Sequence, residues 1–131
     1  MEPLIYEETT ETPGVILDKE NGIFKIWGKA FPEETHKFYE PILNWLDEYI
    51  QNPNNKTSFV FKMDYFNSAS STRILEMLYT LDKLYKSGNE VIIQWHYLEI
   101  DDDMVESGKE FSEMISAPVE FHPYTEAQDN D

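Results

Sequence analysis

The stretch from Thr57 to Gly88 constrains the chain most, because its apolar residues change period across a single polar break. Phe59, Phe61, Met63 and Tyr65 alternate with Ser58, Val60, Lys62 and Asp64, the period of a strand with one face toward a core. The strand ends at Phe66. Beyond it, Ile74, Leu75, Leu78, Leu81 and Tyr85 recur at helical spacing, and Gly88 stands where a left-handed C-terminal cap is expected. Glu90 to Tyr97 alternates again, with Val91, Ile93, Trp95 and Tyr97 on the drier side. Strand, helix and strand with short connections form a βαβ unit, which requires parallel pairing and a right-handed crossover.

The flanking segments extend this unit. Leu4 to Glu7 reads as a short extended piece ahead of the turn at Thr9 to Gly14. Val15 to Leu17 and Ile23 to Trp27 are strand-like runs joined by Asp18-Lys19-Glu20-Asn21-Gly22, whose Asn-Gly pair signals a hairpin. The oxygens of Asp18, Glu20 and Asn21 raise a calcium loop as an alternative, but the glycine falls one place early and no glutamate closes the loop. Glu33 and Glu34 suit the first turn of a helix whose apolar stripe is Phe38, Ile42, Trp45, Leu46 and Tyr49. Pro41 interrupts that pattern, so the regular helix is expected to begin or kink there, with Thr35 to Glu40 as a looser lead-in. His36 has no partner at a fixed spacing and reads as an exposed helix residue. Gln51 to Lys56 is a loop.

After the βαβ unit, Asp101-Asp102-Asp103 precedes Met104, Val105, Phe111, Met114 and Ile115, so the carboxylates fall at a helix N-terminus, where negative charge is favourable. Ala117-Pro118 stops that helix, Val119 to His122 is a last strand, and Thr125 to Asp131 is an acidic tail expected to fray. The sum is one domain over 1–124: an α/β sandwich with a mixed sheet, an N-terminal hairpin and helices mainly on one face.

Charge and composition narrow the function. Ten basic residues face twenty-six acidic ones, a net charge of -16, so nucleic-acid backbones and anionic membranes are repelled and a basic protein surface is the fitting partner. The absence of cysteine removes disulfides, thiolate metal sites and cysteine nucleophiles. Met1-Glu2-Pro3 lacks the basic start of a secretory signal and no apolar run approaches a membrane span, so a cytoplasmic protein is expected. No glycine-rich phosphate loop, G-x-S-x-G elbow or H-x-x-x-H pair is present, and no cofactor or metal is assigned.

The candidate site is the polar break itself, Tyr65-Phe66-Asn67-Ser68-Ala69-Ser70-Ser71-Thr72-Arg73. Asn67, Ser68, Ser70, Ser71 and Thr72 can each accept from the orphan amides of a first helical turn, and capping alone accounts for one of them. The same amides and the positive end of the helix dipole favour a phosphate. Capping and phosphorylation therefore compete as explanations.

The Tyr65-Phe66-Asn67-Ser68 turn, the Glu33 to Tyr49 segment with Phe38-Tyr39 and Trp45-Leu46, and the Gly88 to Tyr97 strand with Trp95 together resemble the SiaC-like regulatory phosphoprotein family. The resemblance covers nearly the whole chain. It implies a fold similar to STAS domains and anti-sigma-factor antagonists, and no catalysis by the chain itself. It also implies three protein partners: a serine/threonine kinase that modifies the turn, a PP2C-type phosphatase that reverses it, and a diguanylate cyclase bound and activated by the unmodified protein. The hydroxyl after the turn asparagine is the family's acceptor, which places it at Ser68, with Ser70, Ser71 and Thr72 as alternatives. The family more often has threonine there. Tyr65, Phe66, Asn67, Ser68 and Arg73 then form the switch turn, Arg73 being available to pair with the phosphate. Should the partner surface be apolar, the exposed members of the set Phe38, Tyr39 and Trp45 are the candidates. Two other functions compete: a metal-dependent enzyme using Asp101, Asp102 and Asp103, and a constitutive scaffold with no switch.

Overall fold

A computed structural model describes residues 1–128. Six strands and three helices follow in the order β1 (Leu4–Tyr6), β2 (Gly14–Asp18), β3 (Ile23–Ala30), α1 (Thr35–Tyr49), β4 (Lys56–Phe66), α2 (Ser68–Lys86), β5 (Glu90–Leu98), α3 (Asp102–Glu113) and β6 (Val119–Tyr124). The strands lie side by side in chain order, β1 to β3 antiparallel and β3 to β6 parallel. Three consecutive βα crossovers of one hand place their helices on one side of such a sheet. The contacts bear this out. Phe24 of β3 meets Trp45 and Tyr49 of α1 with ring centroids 6.1 and 4.9 Å apart, and Trp95 of β5 meets Phe111 of α3 at 5.7 Å. Ile74, Met77, Leu78, Leu81 and Leu84 of α2 complete the same core.

Phe59 and Phe61 are fully buried at its centre, each contributing roughly 1.5–3 kcal/mol by leaving water. Among the described residues no helix covers the other sheet face, which carries Ser58, Val60, Lys62, Ile92, Gln94 and His96, all half-buried. Polar cross-strand contacts join them: Gln94 Nε2 donates to Ser58 Oγ at 2.8 Å, and the His96 and His122 rings stack at 4.6 Å.

Two sequence expectations change. The helix does not wait for Pro41; α1 runs from Thr35 to Tyr49 with Pro41 inside it, and Glu34 precedes it as the N-cap. An interior proline costs about 3 kcal/mol. Complete burial of Tyr39 and Ile42, on either side of the exposed Pro41, offsets much of that and holds the first turns in place. Tyr65 also changes face. The β3–β4 register shifts between Gly28–Met63 and Lys29–Tyr65, leaving Asp64 as an extra residue in β4. Such a bulge reverses the alternation beyond it, so Tyr65 turns outward and Phe66 turns in against Trp95 and Phe111. Gly28, with φ +98°, is at this shift, and a Cβ there would come within 2.4 Å of the Glu8 carboxylate.

The apolar candidates on α1 are not exposed. Tyr39 is buried, Trp45 is buried with Nε1 donating to the Glu2 carbonyl at 2.8 Å, and half-buried Phe38 packs on Tyr6 at 5.6 Å. Asp18 closes the hairpin turn by accepting from the Asn21 amide and side chain at 3.1 and 2.7 Å, so the turn is held without an ion. In the expected tail, Glu126–Gln128 form a short 3-10 turn; positions 129–131 lie outside the described residues.

Candidate functional site

Asn67 is the single residue between β4 and α2, and its extended backbone (φ −82°, ψ 175°) turns the chain into the helix. Its Oδ1 accepts from the Ser70 amide at 2.9 Å, its carbonyl accepts from the Ser71 amide at 2.9 Å, and its own amide donates to the Ala30 carbonyl at 3.1 Å. Four amides at a helix start lack intrahelical partners. Here those of Asn67 and Ser70 are satisfied, which leaves the Ser68 and Ala69 amides without a protein partner among the described residues.

The single cap sorts the hydroxyls. Ser68 is exposed at the first helical position. Ser70 is fully buried, its Oγ without a hydrogen bond beside the equally buried Tyr39 hydroxyl. Burial pushes the Tyr39 phenol up to about 12. Ser71 is half-buried, and Thr72 is exposed, with Oγ1 donating weakly to the Ser68 carbonyl at 3.4 Å. Arg73 lies about 140° around the helix from Ser68. Its guanidinium pairs with Glu76 at 2.9 Å and lines a groove of about 510 Å³ between α1 and α2, whose rim includes Tyr39, Asp47 and Lys83. The arrangement therefore has Arg73 engaged away from the Ser68 side of the turn.

Phe66, Asn67, Ser68 and Ser71 line a recess of about 250 Å³. No carboxylate or imidazole among the described residues hydrogen-bonds to Ser68 Oγ. Beside the turn, Tyr65 meets Phe31 edge-on with ring centroids 6.0 Å apart. Sequence reasoning passes over Phe31. The available signal is an aromatic residue immediately before Pro32, where neither a strand face nor a helix face claims it.

The acidic triplet is a helix start. Asp101 caps α3 through Oδ1, which accepts from the Met104 amide at 3.0 Å, while Asp102 and Asp103 are exposed in the first turn. Among the described residues no group of three His, Cys, Asp or Glu side chains converges to hold a metal ion. His36 is an exposed helix residue paired with Glu40 at 2.8 Å.

Residues 6–124 match the model of the SiaC family regulatory phosphoprotein. The chain belongs to the SiaC family. An uncharacterized protein of Pseudomonas aeruginosa (strain UCBPP-PA14) is 22% identical over 118 residues, 90% of this chain and 94% of that one. The fold is shared with apo-SiaC of Pseudomonas aeruginosa, with a TM-score of 0.85 and 22% identity over 93% of this chain and 99% of that one. It is also shared with a chain of the crystal structure of the diguanylate cyclase SiaD in complex with its activator SiaC, with a TM-score of 0.87 and 21% identity over 92% and 99% of the two chains. Among the described residues no helix is long and apolar enough to cross a membrane.

Proposed function

We propose that this chain is a non-enzymatic adaptor that binds and activates a diguanylate cyclase when Ser68 is unmodified and releases it when Ser68 is phosphorylated. A serine/threonine kinase adds the phosphoryl group and a PP2C-type phosphatase removes it, all in the cytoplasm, where ATP and GTP are available. Membership of a family of regulatory phosphoproteins supports the switch, and the complex of a fold relative with its cyclase supports the output. The observation that carries the site is the opposite placement of two neighbouring hydroxyls: Ser68 is exposed beside two open amides, whereas Ser70 is fully buried.

A phosphoserine brings about −1.5 to −2 charges. The open amides of Ser68 and Ala69 and the helix dipole stabilise that charge locally, so the fold persists. A partner seated on the turn, in contrast, would have to desolvate the phosphate, and binding is lost. The test of the site is phosphorylation by the kinase followed by peptide mass spectrometry. One phosphoryl group is expected at Ser68, absent in Ser68→Ala and retained in Ser70→Ala. A group placed outside Ser68 to Thr72 contradicts the assignment.

A further inference from the structure

Phe31 and Tyr65 are exposed by 36% and 51%, and they touch each other rather than standing singly. Isolated exposed aromatics are ordinary on protein surfaces, whereas contiguous ones mark interaction sites. Each is held outward by backbone that the core fixes. Tyr65 points out because of the bulge at Asp64. Phe31 follows Ala30, whose carbonyl accepts from the Asn67 amide, and its own amide donates to the Glu11 carbonyl at 2.8 Å. The ring pair is therefore pre-organised, and a partner that covers it loses little conformational freedom in doing so.

The surroundings select the partner's charge. Glu33, Glu34 and Asp64 are exposed on the segments that carry the two rings, and Glu11 is exposed on the turn whose carbonyl accepts from the Phe31 amide. The cations of the same stretch are Lys29 and Lys37; Lys37 pairs with Glu34 at 3.6 Å, so that acid and that base offset each other and the acidic excess rests on the other carboxylates. The whole chain adds a net charge of -16. An apolar centre with an acidic rim matches the anatomy of a protein interface whose other half has an apolar patch ringed by Lys and Arg.

Resting on the reading of this chain as the activator of a diguanylate cyclase, we infer that the Phe31–Tyr65 pair is the apolar anchor of that complex, gripping a basic segment of the cyclase. Tyr65 is three residues before Ser68 in the chain, so the anchor and the modification lie on the two sides of one strand-to-helix junction. A phosphate on Ser68 then falls at the edge of the anchor's contact.

The experiment uses the purified diguanylate cyclase of the same organism that co-purifies with the full chain, titrated calorimetrically with wild type, Phe31→Ala, Tyr65→Ala and Tyr79→Ala. Tyr79 is a comparably exposed aromatic, 44%, on the α1–α2 groove. Kd is expected to rise at least threefold for Phe31→Ala and for Tyr65→Ala, and to change less than threefold for Tyr79→Ala. All three variants should keep the wild-type circular dichroism and melting temperature, which separates lost contact from lost fold. A rise below threefold for both anchor variants, or an equal rise for Tyr79→Ala, overturns the anchor while leaving the cyclase reading intact. A wild-type chain that binds no diguanylate cyclase overturns the functional reading and the anchor together.

Discussion

The amide of Asn67 donates to the carbonyl of Ala30 across 3.1 Å, tying the start of α2 to the end of β3. One residue thus does two jobs. Its backbone joins the two loops, and its side chain caps the helix through the Ser70 amide. Ser68, between these two attachments, is fixed in place although its side chain is exposed.

Asn67→Ala separates the two jobs, because it removes the cap and keeps the backbone bond. A loss of about 1 kcal/mol is expected, which for a chain of this size lowers Tm by about 3–5 °C. Differential scanning calorimetry measures it. An unchanged Tm would mean that the Oδ1 contact contributes nothing to helix stability.

Asp82 is a buried carboxylate that accepts from the Ser116 and Ala117 amides at 2.9 and 2.8 Å and pairs with Lys86 at 3.2 Å. Burial raises its pKa, but the two amides and Lys86 outweigh burial and hold it below the ordinary value of 3.8. A carboxyl depressed on folding gives stability that is present above the unfolded pKa and lost as pH falls through the folded one. Asp82→Ala should cost about 1–3 kcal/mol at pH 7 in urea denaturation, because it leaves the buried Ala117 amide without its acceptor and removes that of the more exposed Ser116 amide. The variant should also lose less stability than wild type on acidification below about pH 4.

His96 behaves oppositely in charge and alike in direction. Burial first, then the positive charges of His122, Lys62 and Lys25, lower its pKa from 6.5 to about 4. The unfolded chain therefore takes up a proton before the folded one does, and stability falls as pH drops from 6.5 toward 4. A Tm profile across that window should slope downward for wild type and flatten in His96→Gln. Parallel profiles would assign the slope to other groups.

The strands, the hairpin and the position of the β4–α2 junction are legible in the sequence because period-two and helical patterns are local. Ser70 reads in the sequence as part of the polar turn, and the structure places it on the buried stripe of α2, four residues before Ile74. Other features depend on pairing between distant segments. Tyr65 faces outward only because β4 has one residue more than β3 across the bulge, which the sequence of β4 alone does not record. Asp82 is buried because its acceptors meet amides 34 and 35 residues away. Arg73 sits in the right stretch of chain, but Glu76 and the helical turn draw it to the α1 side. Pro41 marks a helix end by local rules, and the burial of Tyr39 and Ile42 overrides them.

The switch itself is tested by the rate at which the cyclase converts GTP to cyclic-di-GMP in the presence of this chain in three forms: unmodified, Ser68-phosphorylated with the site verified by mass spectrometry, and Ser68→Ala after treatment with kinase and ATP. The unmodified chain should raise the rate, the phosphoprotein should leave it at the level of the cyclase alone, and Ser68→Ala should raise it as the unmodified chain does. A phosphoprotein that activates as strongly as the unmodified chain would contradict the account.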